Sequence, residues 1–193
     1  MGIAALALLI IIAGCSKAPQ TEMQNADQAI SMADDNEAKQ YAPEAYKIAM
    51  DTLNAAKAAV KEQDGKFALF RSYDKSKEMF VASERLAQDA IAQAQTEKER
   101  VKAEVSTLLG QVETALNEAN TALAKAPKGK GSAADLQLMK ADLESAKSGF
   151  AEAQADFDNG KYLVAQSKLE AISESINKVN GEIQAAISRK KGR

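Results

Sequence analysis

Residues 87–122 read AQDAIAQAQTEKERVKAEVSTLLGQVETALNEANTA. Positions 87, 91, 94, 98, 101, 105, 108, 112, 115, 119 and 122 alternate steps of four and three, and ten of these eleven are apolar, with Lys98 the exception. A helix turns once in about 3.6 residues, so positions spaced this way line one face. A sustained seam of period 3.5 is what a helix needs to pack along its length against other helices. Gly110 lies off the seam and costs about 1 kcal/mol relative to Ala, a small loss in a long helix. The next strong breaker after Gly65 is Pro127, so the pattern predicts one helix over Lys66–Lys125. At about 1.5 Å per residue it would form a rod of roughly 90 Å.

Working outward, the same spacing recurs on both sides. Towards the N-terminus, Ala26, Ala29, Ile30 and Ala33 define a short amphipathic helix over about 23–38. Pro43 suits the first turn of a second helix, over about 43–63, with Tyr46, Leu53, Ala56 and Val60 on one face. Asp64-Gly65 ends it, on the expectation that Gly takes the left-handed conformation that closes helices. Towards the C-terminus, Ala126–Ser132 is a loop and a helix follows over 133–158. Asp158-Asn159-Gly160 interrupts, and a last helix over 161–189 carries Tyr162, Ala165, Leu169, Ile172, Ile176, Val179 and Ile183. The composition agrees: 27% of residues are charged, 5% are aromatic, and the 193-residue chain holds 10 Gly and 3 Pro.

Two of the breaks match. Asp64-Gly65-Lys66-Phe67 corresponds to Asn159-Gly160-Lys161-Tyr162 at an offset of 95. Leu53, Ala56 and Val60 correspond to Phe150, Ala153 and Phe157 at 97; Tyr73, Phe80 and Ala87 correspond to Leu169, Ile176 and Ile183 at 96. Small drifts of offset across a loop are the mark of a diverged duplication. The expected fold is all-α: an elongated antiparallel helical bundle or coiled coil, built as two tandem three-helix units, 26–98 and 101–189, that share one long helix. The connectivity resembles that of spectrin-type tandem bundles, without their tryptophans. The pattern YAPEAY…DGKF resembles the helical domain of unknown function found in many bacterial lipoproteins. That likeness covers Ala26 to about Gln95 and, more weakly, 133–187; it implies an envelope location and no activity.

The N-terminus adds an address. Gly2–Gly14 is uninterruptedly apolar but shorter than the about 20 residues needed to cross a bilayer, the length of a signal-peptide core over residues 1–14. It leads into the only cysteine, so no intramolecular disulfide and no cysteine cluster for zinc can form. Ile12-Ala13-Gly14-Cys15 resembles the lipobox of bacterial lipoproteins. The resemblance implies cleavage before Cys15 and lipidation of its thiol, an attachment that several acyl chains make stable. N-myristoylation is excluded because Leu6 occupies the position that requires Ser or Thr. Residues 15–25 would be the lipidated cysteine and a polar tether, and Ser16 rather than Asp after the cysteine suits the outer membrane, facing the periplasm.

Catalytic chemistry finds little purchase. The chain has no His, the usual general base and metal ligand. Carboxylate pairs such as Asp34-Asp35 sit among Lys and Gln on helical faces, where solvent accounts for them. Gly129-Lys130-Gly131-Ser132 has the wrong order and flanks for a phosphate loop. The aromatics Tyr41, Tyr46, Phe67, Phe70, Tyr73 and Phe80 gather in the first unit and, at helical spacing, are expected in its core. No enzyme, cofactor or metal site is expected, and a formal net charge of −2 with mixed signs does not attract nucleic acid. The exception to the mixed pattern is the basic tail, Arg189, Lys190, Lys191 and Arg193, which could meet the anionic cell wall. The major murein lipoprotein offers an analogy for a wall-facing helical lipoprotein, but this chain ends in Arg193 rather than a cross-linkable lysine. The reading that results is a lipid-anchored envelope protein, a spacer or a scaffold touching peptidoglycan or a protein partner. The alternative is a helical binding module for a hydrophobic ligand, or an accessory subunit of an export assembly.

Overall fold

The computed structural model describes residues 17–126 and 133–191, with side chains as far as 188. In chain order the elements are α1 (Gln20–Asp35), α2 (Ala38–Tyr41), α3 (Pro43–Asp64), a 3₁₀ turn (Ala68–Phe70), α4 (Asp74–Lys125), α5 (Ala133–Asp158) and α6 (Tyr162–Lys191). The protein is an all-α helical bundle, with no strand among the described residues. It divides into two compact units, Met1–Glu97 and Lys98–Arg193, and the division falls inside α4.

In the first unit α1, α3 and the N-terminal part of α4 run alternately up and down. Lys57 of α3 bonds Asp27 of α1 at 2.6 Å, and Lys77 of α4 pairs with Glu22 of α1 at 3.0 Å. The first pair is exposed and the second half-exposed at Glu22, and each contributes about 1 kcal/mol or less. The buried stripes hold the helices together: Ala26, Ala29, Ile30 and Ala33 from α1, Ala49, Leu53 and Ala56 from α3, Tyr73, Phe80, Ala87, Ala90 and Ala94 along α4. Ser76 and Ser83 share this interior without breaking the rule that buried polar groups are bonded. The Ser76 hydroxyl donates to the Tyr73 carbonyl at 2.8 Å, and that of Ser83 crosses to the Ala49 carbonyl of α3 at 2.9 Å. Side chains this small let the helices approach closely; ten of the fifteen buried apolar residues described here are Ala.

The second unit uses larger side chains. Val101, Val105, Val112 and Leu116 of α4 face Met139 and Leu143 of α5 and Leu169, Ile172, Ile176, Val179 and Ile183 of α6 across one core. Only five of its sixteen buried apolar residues described are Ala. Along α4 the buried rows change with the unit. In the first, each of Tyr73, Phe80 and Ala87 is followed three residues later by a buried partner, Ser76, Ser83 or Ala90; from Val101 the partner row lies four residues on, at Val105, Val112 and Ala119. Two successive steps of four form a stutter, a local change of winding. All eleven seam positions from 87 to 122 are buried or half-buried, but Ala90 rather than Ile91 is the fully buried member of its turn.

Four expectations about the helices need correction. The tether expected as far as Asn25 is cut short, because α1 starts at Gln20, directly after Pro19. Glu22 in its first turn suits the positive end of the helix dipole and is held by Lys77. The helix expected through Ala38 breaks at Asn36-Glu37. There the Asn36 amide bonds back to the Met32 carbonyl at 2.8 Å and Glu37 takes a left-handed conformation, φ 59°. The long helix begins at Asp74, not Lys66, so a nine-residue loop, 65–73, replaces its expected first turns. Lastly, Gly65 is not left-handed: its φ is −70°, whereas its counterpart Gly160 has φ +76°.

Candidate functional site

The residues singled out from the sequence fall mostly at the chain's edges. Cys15 and Arg193 lie outside the described residues, as does Gly129–Ser132. Arg189, Lys190 and Lys191 form the backbone of the last turn of α6.

The described residues draw attention instead to the loop between α3 and α4. It is built by side chains that compete with the helical backbone for hydrogen bonds. The Arg71 guanidinium donates from Nε to the Lys66 carbonyl at 2.9 Å and from Nη2 to the Asp64 carbonyl at 2.8 Å, closing the C-terminus of α3. Gln63 Oε1 accepts the Ser72 N–H at 3.2 Å. The buried Tyr73 donates its hydroxyl to Asp64 Oδ1, and that bond to a carboxylate raises the phenol's pKa above its ordinary value. Ser72 donates to Asp74 Oδ2 at 3.0 Å at the start of α4. These bonds hold a short 3₁₀ turn whose side chains point away from the bundle. Phe67, Leu69 and Phe70 are 70%, 67% and 77% exposed, with the two rings 6.3 Å apart at 50°.

This corrects the expectation that the aromatics of the first unit are core. Tyr41, Tyr73 and Phe80 are buried and Tyr46 is half-buried, but Phe67 and Phe70 are not. The signal was present in the sequence: Phe67-Ala68-Leu69-Phe70 is a run of four apolar residues between Lys66 and Arg71, and four in a row cannot all face one side of a helix.

The start of the described chain lies beside this loop's base. Lys17–Glu22 and Tyr73, Asp74 and Lys77 line a common hollow of about 380 Å³. Backbone hydrogen bonding at Glu22, together with Lys77, holds the Glu22 carboxyl below its ordinary pKa.

The chain was compared with protein-family models, with curated proteins and with solved structures, and it matches none of them.

Other surfaces carry less chemistry. A cleft of about 540 Å³ in the second unit is lined by Thr114, Asn117, Glu118, Thr121, Lys125 and Ile187, and another of about 410 Å³ in the first lies at Tyr41 and Thr96. Both are surface grooves. Among the described residues no group of three or more His, Cys, Asp or Glu is placed to hold a metal ion, and no helix is long and apolar enough to cross a membrane. A connected charged cluster lies at the end of α5. Lys168 Nζ lies 2.8 Å from Asp156 Oδ2 and 3.2 Å from Glu152 Oε2, while Lys161 Nζ lies 3.8 Å from Asp156. Lys168 above all draws the Asp156 carboxyl below the usual carboxylate range, and the Lys168 ammonium is raised in turn. The cluster ties α5 to α6 across their turn as an electrostatic staple.

Proposed function

We propose that this chain is a lipid-anchored protein of the bacterial cell envelope, held in the outer membrane through a lipidated Cys15 and facing the periplasm, where its helical body acts as a spacer or scaffold. The observation that carries this reading is Ile12-Ala13-Gly14-Cys15, which places the only thiol after a 13-residue apolar run. A body of helices packed on small and branched side chains, whose clefts at Thr114–Lys125 and at Tyr41 are open grooves, supports a mechanical role over a carrier's. The tandem three-helix reading is supported by matching inward positions: Ala49 and Ala56 in α3 against Ala146 and Ala153 in α5, Tyr73 and Phe80 against Leu169 and Ile176. The basic tail, Arg189, Lys190, Lys191 and Arg193, is the proposed contact with peptidoglycan, a salt-sensitive attraction with a range of about 8 Å at physiological ionic strength.

The decisive experiment is Cys15→Ser in cells supplied with a labelled fatty acid. The variant is expected to accumulate as an unprocessed precursor without label. Undiminished labelling would remove the anchor and the location that depends on it.

A further inference from the structure

We propose that the loop tip Phe67, Leu69 and Phe70 is a membrane-contact site that inserts into the interfacial region of the bilayer carrying the chain's own anchor. The inference deepens the lipid-anchored reading and rests on it.

An exposed connecting loop normally carries polar side chains, since apolar ones gain nothing from water. Here three large apolar side chains of the loop, Phe67, Leu69 and Phe70, are exposed, and the neighbouring bonds keep them so. Arg71 grips the carbonyls of Asp64 and Lys66, Gln63 grips Ser72, and Tyr73 grips Asp64, so Phe67 and Phe70 are held out on a clamped turn. A preformed tip loses little conformational freedom when it binds.

The position of the chain's start selects the occupant. Lys17–Glu22 share a hollow with Tyr73, Asp74 and Lys77, and Glu22 is paired with Lys77, so the described chain begins at the end of the first unit that carries the tip. Cys15 is two residues before Lys17, and two extended residues reach at most about 7 Å. Because α1 starts at Gln20, little slack separates an acyl chain on Cys15 from the bundle. An anchor there brings this end of the unit, with its aromatic pair, down onto the lipid. Aromatic and aliphatic side chains on an interfacial segment are what such a surface takes up. The tip's surroundings carry both signs, Lys61 and Lys66 against Glu62 and Asp64, with Lys66 paired to Glu62 at 3.1 Å. Contact therefore follows apolar partition, with little dependence on salt or on anionic lipid.

The chain has no Trp, so Phe70→Trp in the full-length protein gives a single emitter at the tip. The control is Ile48→Trp, at an exposed α3 position roughly 24 Å along the helix from Asp64. Both are purified from cells, checked by mass for lipid on Cys15, and reconstituted into phosphatidylcholine vesicles with or without bromine on the acyl chains. The expected result is blue-shifted emission at position 70, quenched at least twofold by the brominated lipid at low and high salt, with neither effect at position 48. Emission at 70 that is red and unquenched in a protein that floats with the vesicles overturns the tip contact and leaves the anchor standing. Emission that is blue-shifted yet unquenched overturns it in favour of a protein, including a second copy, covering the tip. Quenching at 70 in a protein whose mass shows no lipid on Cys15 removes the anchor and overturns the proposal in this anchored form, leaving a tip that binds lipid by itself. A protein that neither carries lipid nor floats overturns both.

Discussion

Two turns with nearly the same sequence are built in opposite ways. Asn159-Gly160-Lys161-Tyr162 joins α5 to α6 with a glycine at φ +76°. Its closure bonds, Lys161 N–H to the Asp156 carbonyl and Gly160 N–H to that of Phe157, both at 2.9 Å, form the Schellman pattern. Tyr162 folds back at once, 5.3 Å from Phe157 and 5.9 Å beneath the Lys102 ammonium. Asp64-Gly65-Lys66-Phe67 has its glycine at φ −70°, so the chain does not reverse there. It runs on through Phe67–Phe70 before Arg71 closes the helix end from a distance. The lesson is that a shared motif fixes where a helix stops; what closes it decides whether the next aromatic is tucked in or displayed.

That contrast can be broken most sharply at Arg71. Arg71→Ala removes both guanidinium bonds and is expected to cost about 1.5 kcal/mol in urea unfolding, with faster amide exchange confined to the loop 65–73. Arg71→Lys should recover less than half of the loss, because an ammonium cannot reproduce a fork spanning two carbonyls. Unchanged exchange in the alanine variant would show that Tyr73 and Gln63 suffice to hold the tip.

The glycines sharpen the comparison with effects of opposite sign. At Gly160 an added methyl meets no neighbour within 4 Å, yet φ +76° is strained for any L side chain, and Gly160→Ala is expected to destabilise by about 1 kcal/mol. At Gly65 the backbone is already helical and the nearest atom, the Glu62 carbonyl oxygen, lies 3.5 Å away. Gly65→Ala is therefore expected to stabilise by about 0.5 kcal/mol through the unfolded chain. Thermal melts of the two variants with the same sign would contradict the difference in closure.

The smallest expected effect is a dependence on acid. The Asp156 carboxyl beside the second turn is held below its ordinary pKa by Lys168, so folding gains from its ionised form. That gain is fully present above the unfolded carboxylate value of about 3.9 and is lost as pH falls through the lower folded value. Asp156→Asn should flatten the fall of stability with acid in this window and leave the loop 65–73 untouched. A parallel shift at all pH values would mean that the residue matters for packing and not for charge.

The sequence disclosed periodic features more readily than local ones. The seam from 87 to 122, the start at Pro43 and the stop at Asp158-Asn159-Gly160 were legible because burial repeats at a fixed spacing that few residue types can satisfy. The break at Glu37, and the extension of the break after Asp64 as far as Tyr73, were not. Each depends on bonds from particular side chains to particular carbonyls, Asn36 to Met32 and Arg71 to Asp64, and no period announces these. The expected anchor and tail rest on the local chemistry of residue types at Cys15 and at Arg189–Arg193 and not on a repeating pattern. The displayed tip could have been read from four consecutive apolar residues, had a spacing of three between Phe67 and Phe70 not suggested a helical face.

The alanine-rich interior of the first unit also bears on temperature. The heat-capacity change of unfolding grows with the apolar surface released, at about 0.45 cal/mol/K per Å². Interior positions filled by Ala release less of it than the Val, Leu and Ile of the second unit. Per residue, the first unit therefore has the flatter curve of stability against temperature: it gives up less on cooling, where apolar burial weakens, and its midpoint responds more widely to a given change in free energy. A calorimeter would see the second unit contribute the greater share of the baseline step.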